Sequence, residues 1–253
     1  GWLPDCFAKS AFFHDEMMDA NVVFRLDGEK CYLHDRPAAQ AVRARLIDRG
    51  QNDRLSLCLV SGDNQPVARL HPAIKGVAGG QSSGTSIVSF NLESFESYGK
   101  RQGDNAPVSE KVAFAYTTAL NYLLRRDENN RQRLRIGDTT VVFWTDAQDS
   151  AAGQLVADFF DPPSDDSQET RKLRDVLKTV QQGLPLRTLD PNLDGGTRIF
   201  VLGLAPNAAR LSIRFWHVDT LQAFASRLAE HFQDLALEPS PFKTPPAVWR
   251  LLL

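Results

Sequence analysis

The chain has 253 residues, 42% of them apolar and 24% charged, with a formal net charge of −2. That composition supports a folded core and excludes disordered, collagen-like and polycationic chains, and the length holds one large domain or two ordinary ones. No run of about 18 apolar residues and no charged-then-apolar leader is visible, so neither a membrane span nor a secretory signal is expected and the cytoplasm is the expected compartment.

In chain order, residues 22–26 and 30–33 flank Asp27-Gly28 and predict a hairpin. Asp35 is expected to cap a helix with Pro37 in its first turn, running to about Arg49 and ended by Gly50. Residues 55–60 predict a strand, giving a β-β-α-β start, and residues 87–90 a further strand. From Val108 the period turns helical, with Val112, Ala115, Tyr116, Ala119, Tyr122 and Leu123 on one face through about Arg126 and Asn105 or Ser109 as cap. Residues 139–144 predict a strand, and 151–160 and 169–182 helices split by Asp161-Pro162-Pro163-Ser164-Asp165-Asp166, the best linker candidate. Residues 198–204 and 211–216 predict two strands and 220–232 a last helix. In the second of those strands, alternation sends Leu211, Ile213 and Phe215 to the core and Ser212, Arg214 and Trp216 outward.

The fold class that follows is α+β, with mixed, largely antiparallel sheets and intervening helices. Two parts are expected: residues 1–160, an α+β domain with Gly-rich recognition loops, and 161–253, a second α+β segment packed on it. The missing initiator Met and the apolar end, residues 248–253, suggest a piece of a longer protein.

The tract from Ala73 to Trp144 is dense in Gly, Ser, Asn and aromatic residues, as a recognition surface would be. Lys75, Gly79, Gly80, Gln81, Ser82, Ser83, Gly84, Lys100, Gln102 and Asn105 combine close backbone approach with side chains able to meet phosphates or base edges. The bland alternative is a pair of mobile loops joining strands. Residues 97–136 carry 8 basic and 4 acidic residues against the acidic remainder. Arg125 to Arg135 is there either a binding face or a solvated one. Tyr98 can stack on a base or merely pack, and Asn207, Arg210 and Arg214 add a possible partner surface.

Gly80-Gln81-Ser82-Ser83-Gly84 matches the serine hydrolase elbow Gly-x-Ser-x-Gly, which needs a strand entering and a helix leaving. Here the entry is too glycine-rich and the exit is strand-like, so a hydrolase through Ser82, with His217 or His231 as base, is the lesser reading. His14-Asp15 and His34-Asp35, with His71, resemble metal phosphohydrolase ligands only by chance spacing, and Asp35 already has a role as a cap. Cys6, Cys31 and Cys58 are odd in number and lack a Cys-x-x-Cys pair, pointing to reduced thiols. No P-loop or dinucleotide fingerprint is present. Hence no catalytic residue, metal or cofactor is expected, and the function expected is recognition.

His71-Pro72-Ala73-Ile74-Lys75-Gly76-Val77, Gly80-Gln81-Ser82-Ser83-Gly84, Val88-Ser89-Phe90-Asn91, Phe95-Glu96-Ser97-Tyr98-Gly99-Lys100 and Ala113-Phe114-Ala115-Tyr116-Thr117-Thr118-Ala119-Leu120-Asn121 closely resemble the large subunit of the subtype I-C CRISPR surveillance complex, Cascade. Residues 135–144 and 204–216 resemble two further blocks of that family. Its members are about twice this length, so the resemblance implies an internal portion. It also implies a non-enzymatic role. With the backbone and small subunits and a CRISPR RNA, such a subunit finds the protospacer-adjacent motif in double-stranded target DNA, aids strand opening and helps dock the helicase-nuclease, while the guide reads the sequence. The alternative within such a complex is an assembly subunit that grips neighbouring subunits and guide RNA without reading DNA. No membrane partner is implied.

Overall fold

The computed structural model describes residues 22–48, 55–147, 150–161 and 168–235. Packing divides the chain between Asp53 and Arg54. In the first unit the expected hairpin is reduced to a turn at Asp27-Gly28 with one bridge, Arg25 to Tyr32, and Leu33 N donating to Phe24 O at 2.7 Å. Helix α1, Pro37–Asp48, follows a single 3-10 turn, Leu33–Asp35. Asp35 belongs to that turn, its carboxylate 3.5 Å from His34 Nε2, and does not cap α1. Gly50 lies outside the described residues.

The second unit holds a two-stranded antiparallel sheet, β1 Leu55–Leu57 with β2 Asn64–Pro66. It also holds a four-stranded antiparallel sheet in sequential order: β3 Arg133–Ile136, β4 Thr139–Thr145, β5 Arg198–Asn207 and β6 Arg210–Thr220. Four helices accompany them: α2 Glu110–Leu123, α3 Ala151–Phe160, α4 Gln168–Gln181 and α5 Leu221–Asp234. The described residues thus carry five helices and two antiparallel sheets, the α+β class the sequence implies. Two caps are made by short hydroxyl side chains: Ser109 Oγ accepts from Val112 N at 3.3 Å, and Thr220 Oγ1 accepts from Ala223 N at 3.3 Å.

Alternation along β4 and β5 gives the sheet two apolar faces. Val141 and Phe143 of β4 and Ile199 and Val201 of β5 meet Leu155, Val156 and Phe159 of α3, Leu173 and Val176 of α4, and Leu221 and Ala225 of α5. The residues before and after 162–167 therefore share one core. Val142, Leu202, Leu204 and Leu211 face the other way, onto Leu120 and Leu123 of α2 and onto Ile74 and Val77. Each large side chain so buried stabilises the fold by about 1.5–3 kcal/mol.

Two expectations fail against the sheet. Residues 87–90 form no strand; the chain near them makes single bridges, Ile74 with Thr85 and Ser86 with Arg210. In β6 the register shifts by one, so that Leu204 faces Ile213 while Gly203 faces Phe215, leaving Arg214 as the extra residue of a bulge. Beyond a bulge every side chain changes face. Leu211, Ile213 and Trp216 consequently share the α2 side, and Phe215 crosses to the other. A Cβ on Gly203 would come within 2.5 Å of the Phe215 ring. Ile213 and Phe215 are about half exposed rather than core, and Trp216 joins an aromatic row with Trp144 and Phe200, centroids 5.5 and 5.9 Å away.

Candidate nucleic-acid interface

The glycine-rich segment is an ordered loop. Ile74 and Thr85 exchange backbone hydrogen bonds of 2.8 Å in both directions, Gly80 N donates to Val77 O at 3.2 Å, and Gly84 N to Gln81 O at 3.0 Å. Ile74 and Val77 are buried as anchors, and Ala78 N donates to Thr140 Oγ1 of β4 at 2.9 Å. The Asn121 amide of α2 clasps the loop on both sides of Ile74. Its Oδ1 accepts from Lys75 N at 2.7 Å and its Nδ2 donates to Ala73 O at 3.0 Å. Gly76 has φ 93, and a Cβ there would lie 2.5 Å from Leu124 O, so only glycine allows the loop to close on the end of α2.

Closure brings Lys75, Gln81 and Ser82 beside Asn121, Arg125 and Arg126, around a cavity of about 730 Å³. Arg125 lies over the Tyr122 ring at 4.1 Å, donates to Tyr122 O at 2.7 Å and stands 3.8 Å from Asp127. Behind the loop, Arg133 Nη2 donates to Gly76 O at 3.1 Å while its Nε is buried with no hydrogen-bond partner. Burial, with Arg126 adding like charge, pulls the Arg133 guanidinium below its ordinary value. Lys75, Arg125 and Arg126 line a hollow whose walls contain no carboxylate, an arrangement that an anion would relieve. Those walls contain no histidine either. Ser82 has no imidazole there to take its proton, and the chain leaves the loop without entering a helix, so the hydrolase elbow is not formed.

Gly80 lines this cavity too, and the remaining expected residues lie apart from it. Gly79 packs toward Pro206, and Ser83 is exposed. Gly84 turns against Ala73, where a Cβ would meet the Ala73 Cβ at 2.7 Å. Asn105 locks a turn: its Oδ1 accepts from Ser97 N at 3.2 Å, and its Nδ2 donates to Lys100 O and Gln102 O at 3.2 and 3.1 Å. Gln102 Oε1 accepts from Arg69 Nε, Lys100 is exposed, and Tyr98 projects from the turn. Arg210 donates to Asn91 Oδ1 at 2.6 Å and covers the Phe95 ring at 4.3 Å. Arg214 pairs with Asp138 at 3.1 Å, and Asn207 is exposed at the end of β5. The arginine run 125–135 divides: Arg131 is paired with Asp158 at 2.7 Å, and Arg135 Nε donates to Gly137 O at 2.8 Å.

Asn121 is a site residue that the sequence reading missed, and Arg133 entered it only as one of the Arg125 to Arg135 group. An amide between Leu120 and Tyr122, on a helix otherwise apolar there, was the available signal for the first. Cys58 is buried and free, and its Sγ accepts from Ser109 N at 3.3 Å. Among the described residues no group of three or more His, Cys, Asp or Glu could hold a metal ion, and no helix is long and apolar enough to cross a membrane.

An ordered glycine loop thus closes over a basic hollow, on a sheet backed by helices, and comparison with known families supplies the class. The family described as CRISPR-associated protein (Cas_Csd1) matches residues 2–253, nearly the whole chain. The chain belongs to that family. A search of curated proteins finds no match.

Proposed function

We propose that this chain acts in the large subunit of a subtype I-C RNA-guided surveillance complex in the cytoplasm. There it meets the protospacer-adjacent motif in duplex DNA, aids strand opening and helps bring in the helicase-nuclease, breaking no bond itself and needing no cofactor. The observation that carries the reading is the basic hollow. Lys75, Arg125 and Arg126 stand ready for backbone phosphate, and Gln81 offers an amide to a base edge from the rim. Alanine at Gln81 should relax preference for the motif, whereas charge reversal of Arg125 and Arg126 should weaken all duplexes and flatten the salt dependence. Unchanged affinity and preference in both variants would end the assignment.

The apolar surface beside β6 favours a second reading, an assembly subunit that grips neighbouring subunits and guide RNA. Tyr116, Tyr122, Trp144, Leu202, Ile213 and Trp216 line a groove of about 700 Å³. Assembly and DNA binding measured separately on the Arg125 and Arg126 reversals divide the two. Loss of DNA binding in a complex that still assembles supports the first.

A further inference from the structure

The turn Ser97-Tyr98-Gly99-Lys100 holds a tyrosine in left-handed backbone, φ 52, with 97% of it exposed. That conformation is a strained one for a bulky residue, and Asn or Gly would occupy it freely. The turn is nevertheless stiff. Lys100 N donates to Ser97 O at 2.9 Å, and the three hydrogen bonds of Asn105 fasten both of its arms. Its root is pressed onto the chain at Arg69, where Gly103 N donates to Arg69 O at 3.1 Å and a Cβ on Gly103 would lie 2.1 Å from Ala68 O. The fold keeps one aromatic ring on a rigid post where ring burial contributes nothing to the core.

Aromatic anchors at protein interfaces sit within a surround of apolar residues that excludes water. Here the chain neighbours of the ring are Ser97, Gly99, Lys100 and Arg101, and the nearby Phe95 is covered by Arg210. Arg101 is 85% exposed and stands 3.9 Å from Glu96. Glu93, Glu96 and Asp104 share the hollow at the root with Arg69 and Arg101, which leaves Lys100 as the cation nearest the tip in sequence. A lone ring with a cation beside it suits a stacked base and its phosphate.

We propose that Tyr98 is a stacking platform for one unstacked nucleobase, with Lys100 on the adjoining phosphate. The inference rests on the reading of the chain as a nucleic-acid-binding subunit. The test titrates the purified protein into forked DNA duplexes carrying 2-aminopurine at successive positions across the junction. Wild type and Tyr98→Phe should change the fluorescence at one position. Tyr98→Ala, and Tyr98→Asn, which suits left-handed backbone and keeps the turn, should lose that signal and bind about tenfold more weakly with an unchanged salt slope. Lys100→Ala should lower the slope by about one. If wild type binds the forks and every position reads the same with Tyr98→Asn, the platform is overturned while the wider function stands. If Tyr98→Asn loses subunit assembly and keeps the fluorescence signal, Tyr98 is a protein contact and the proposal also falls. If wild type binds no fork, the proposed function itself is what fails.

Discussion

The two faces of the four-stranded sheet use the same strands for opposite ends. Toward α3, α4 and α5, three helices cover the sheet, and Val141, Phe143, Val156, Phe159, Ile199 and Leu221 are essentially sealed. Toward α2, one helix and a loop do the covering. Leu124, Leu204 and Ile74 are sealed as well, but the cover runs out at both ends, into a basic hollow and an apolar groove. The contrast teaches that one closed face can supply the stability that lets the other remain open to a ligand.

Substitutions can break or sharpen this contrast. The largest effect is expected from Phe143→Ala on the closed face, about 3–5 kcal/mol of lost stability by chemical denaturation. Tyr122→Ala, 61% exposed on the open face, should change stability by no more than about 0.5 kcal/mol. Equal losses at the two sites would erase the distinction between the faces. Gly76→Ala forces a Cβ against Leu124 O in left-handed backbone and should cost about 1–3 kcal/mol while opening the loop and depressing anion binding. Asn121→Ala strands Lys75 N and Ala73 O and should cost about 1–2 kcal/mol, with a greater relative loss in DNA affinity than in melting temperature.

Smaller still, Arg125→Glu with Arg126→Glu should leave stability within about 0.5 kcal/mol and cut the salt slope of DNA binding by about two.

The pH profile adds a last test on the open side. His71 Nδ1 and the Tyr116 hydroxyl lie 2.6 Å apart. Burial holds His71 below its ordinary value and pushes Tyr116 up to about 12. The fold therefore favours both groups neutral. Stability should be undiminished between the unfolded values of about 6.5 and 10. It should fall as pH drops below 6.5, where the unfolded chain takes up the imidazole proton first. It should fall again from 10 toward 12, where the unfolded chain loses the phenol proton first. Urea melts of His71→Gln should lack much of the acid-side decline, and an unaltered profile would show that His71 is not its source.

Where local chemistry settled the outcome, the sequence was legible. Ser109 and Thr220 begin helices, and residues 139–144 form a strand. Where a neighbour settled it, the sequence was opaque. Arg133-Leu134-Arg135-Ile136 alternates as a strand must, yet four residues within a run of arginines read as charge until β4 pairs with them. Residues 87–90 have strand-forming side chains but no strand beside them to complete a ladder. Asn105 was expected to face a ligand, and its amide is instead engaged by three backbone groups that only the folded turn assembles.

The one-residue bulge at Arg214 makes this position of the outer strand dispensable in length as well as in side-chain identity. Exchanging Arg214 for another polar residue leaves Trp216 beside Trp144 and Phe215 over Gly203. Deleting it would set Ile213 and Phe215 side by side opposite Leu204 and Gly203, a regular ladder in which Trp216 still pairs with Leu202 and Phe215 still lies over Gly203. A codon lost at this position should therefore be tolerated, whereas one lost at a paired position of the same strand would turn the side chains beyond it to the wrong face.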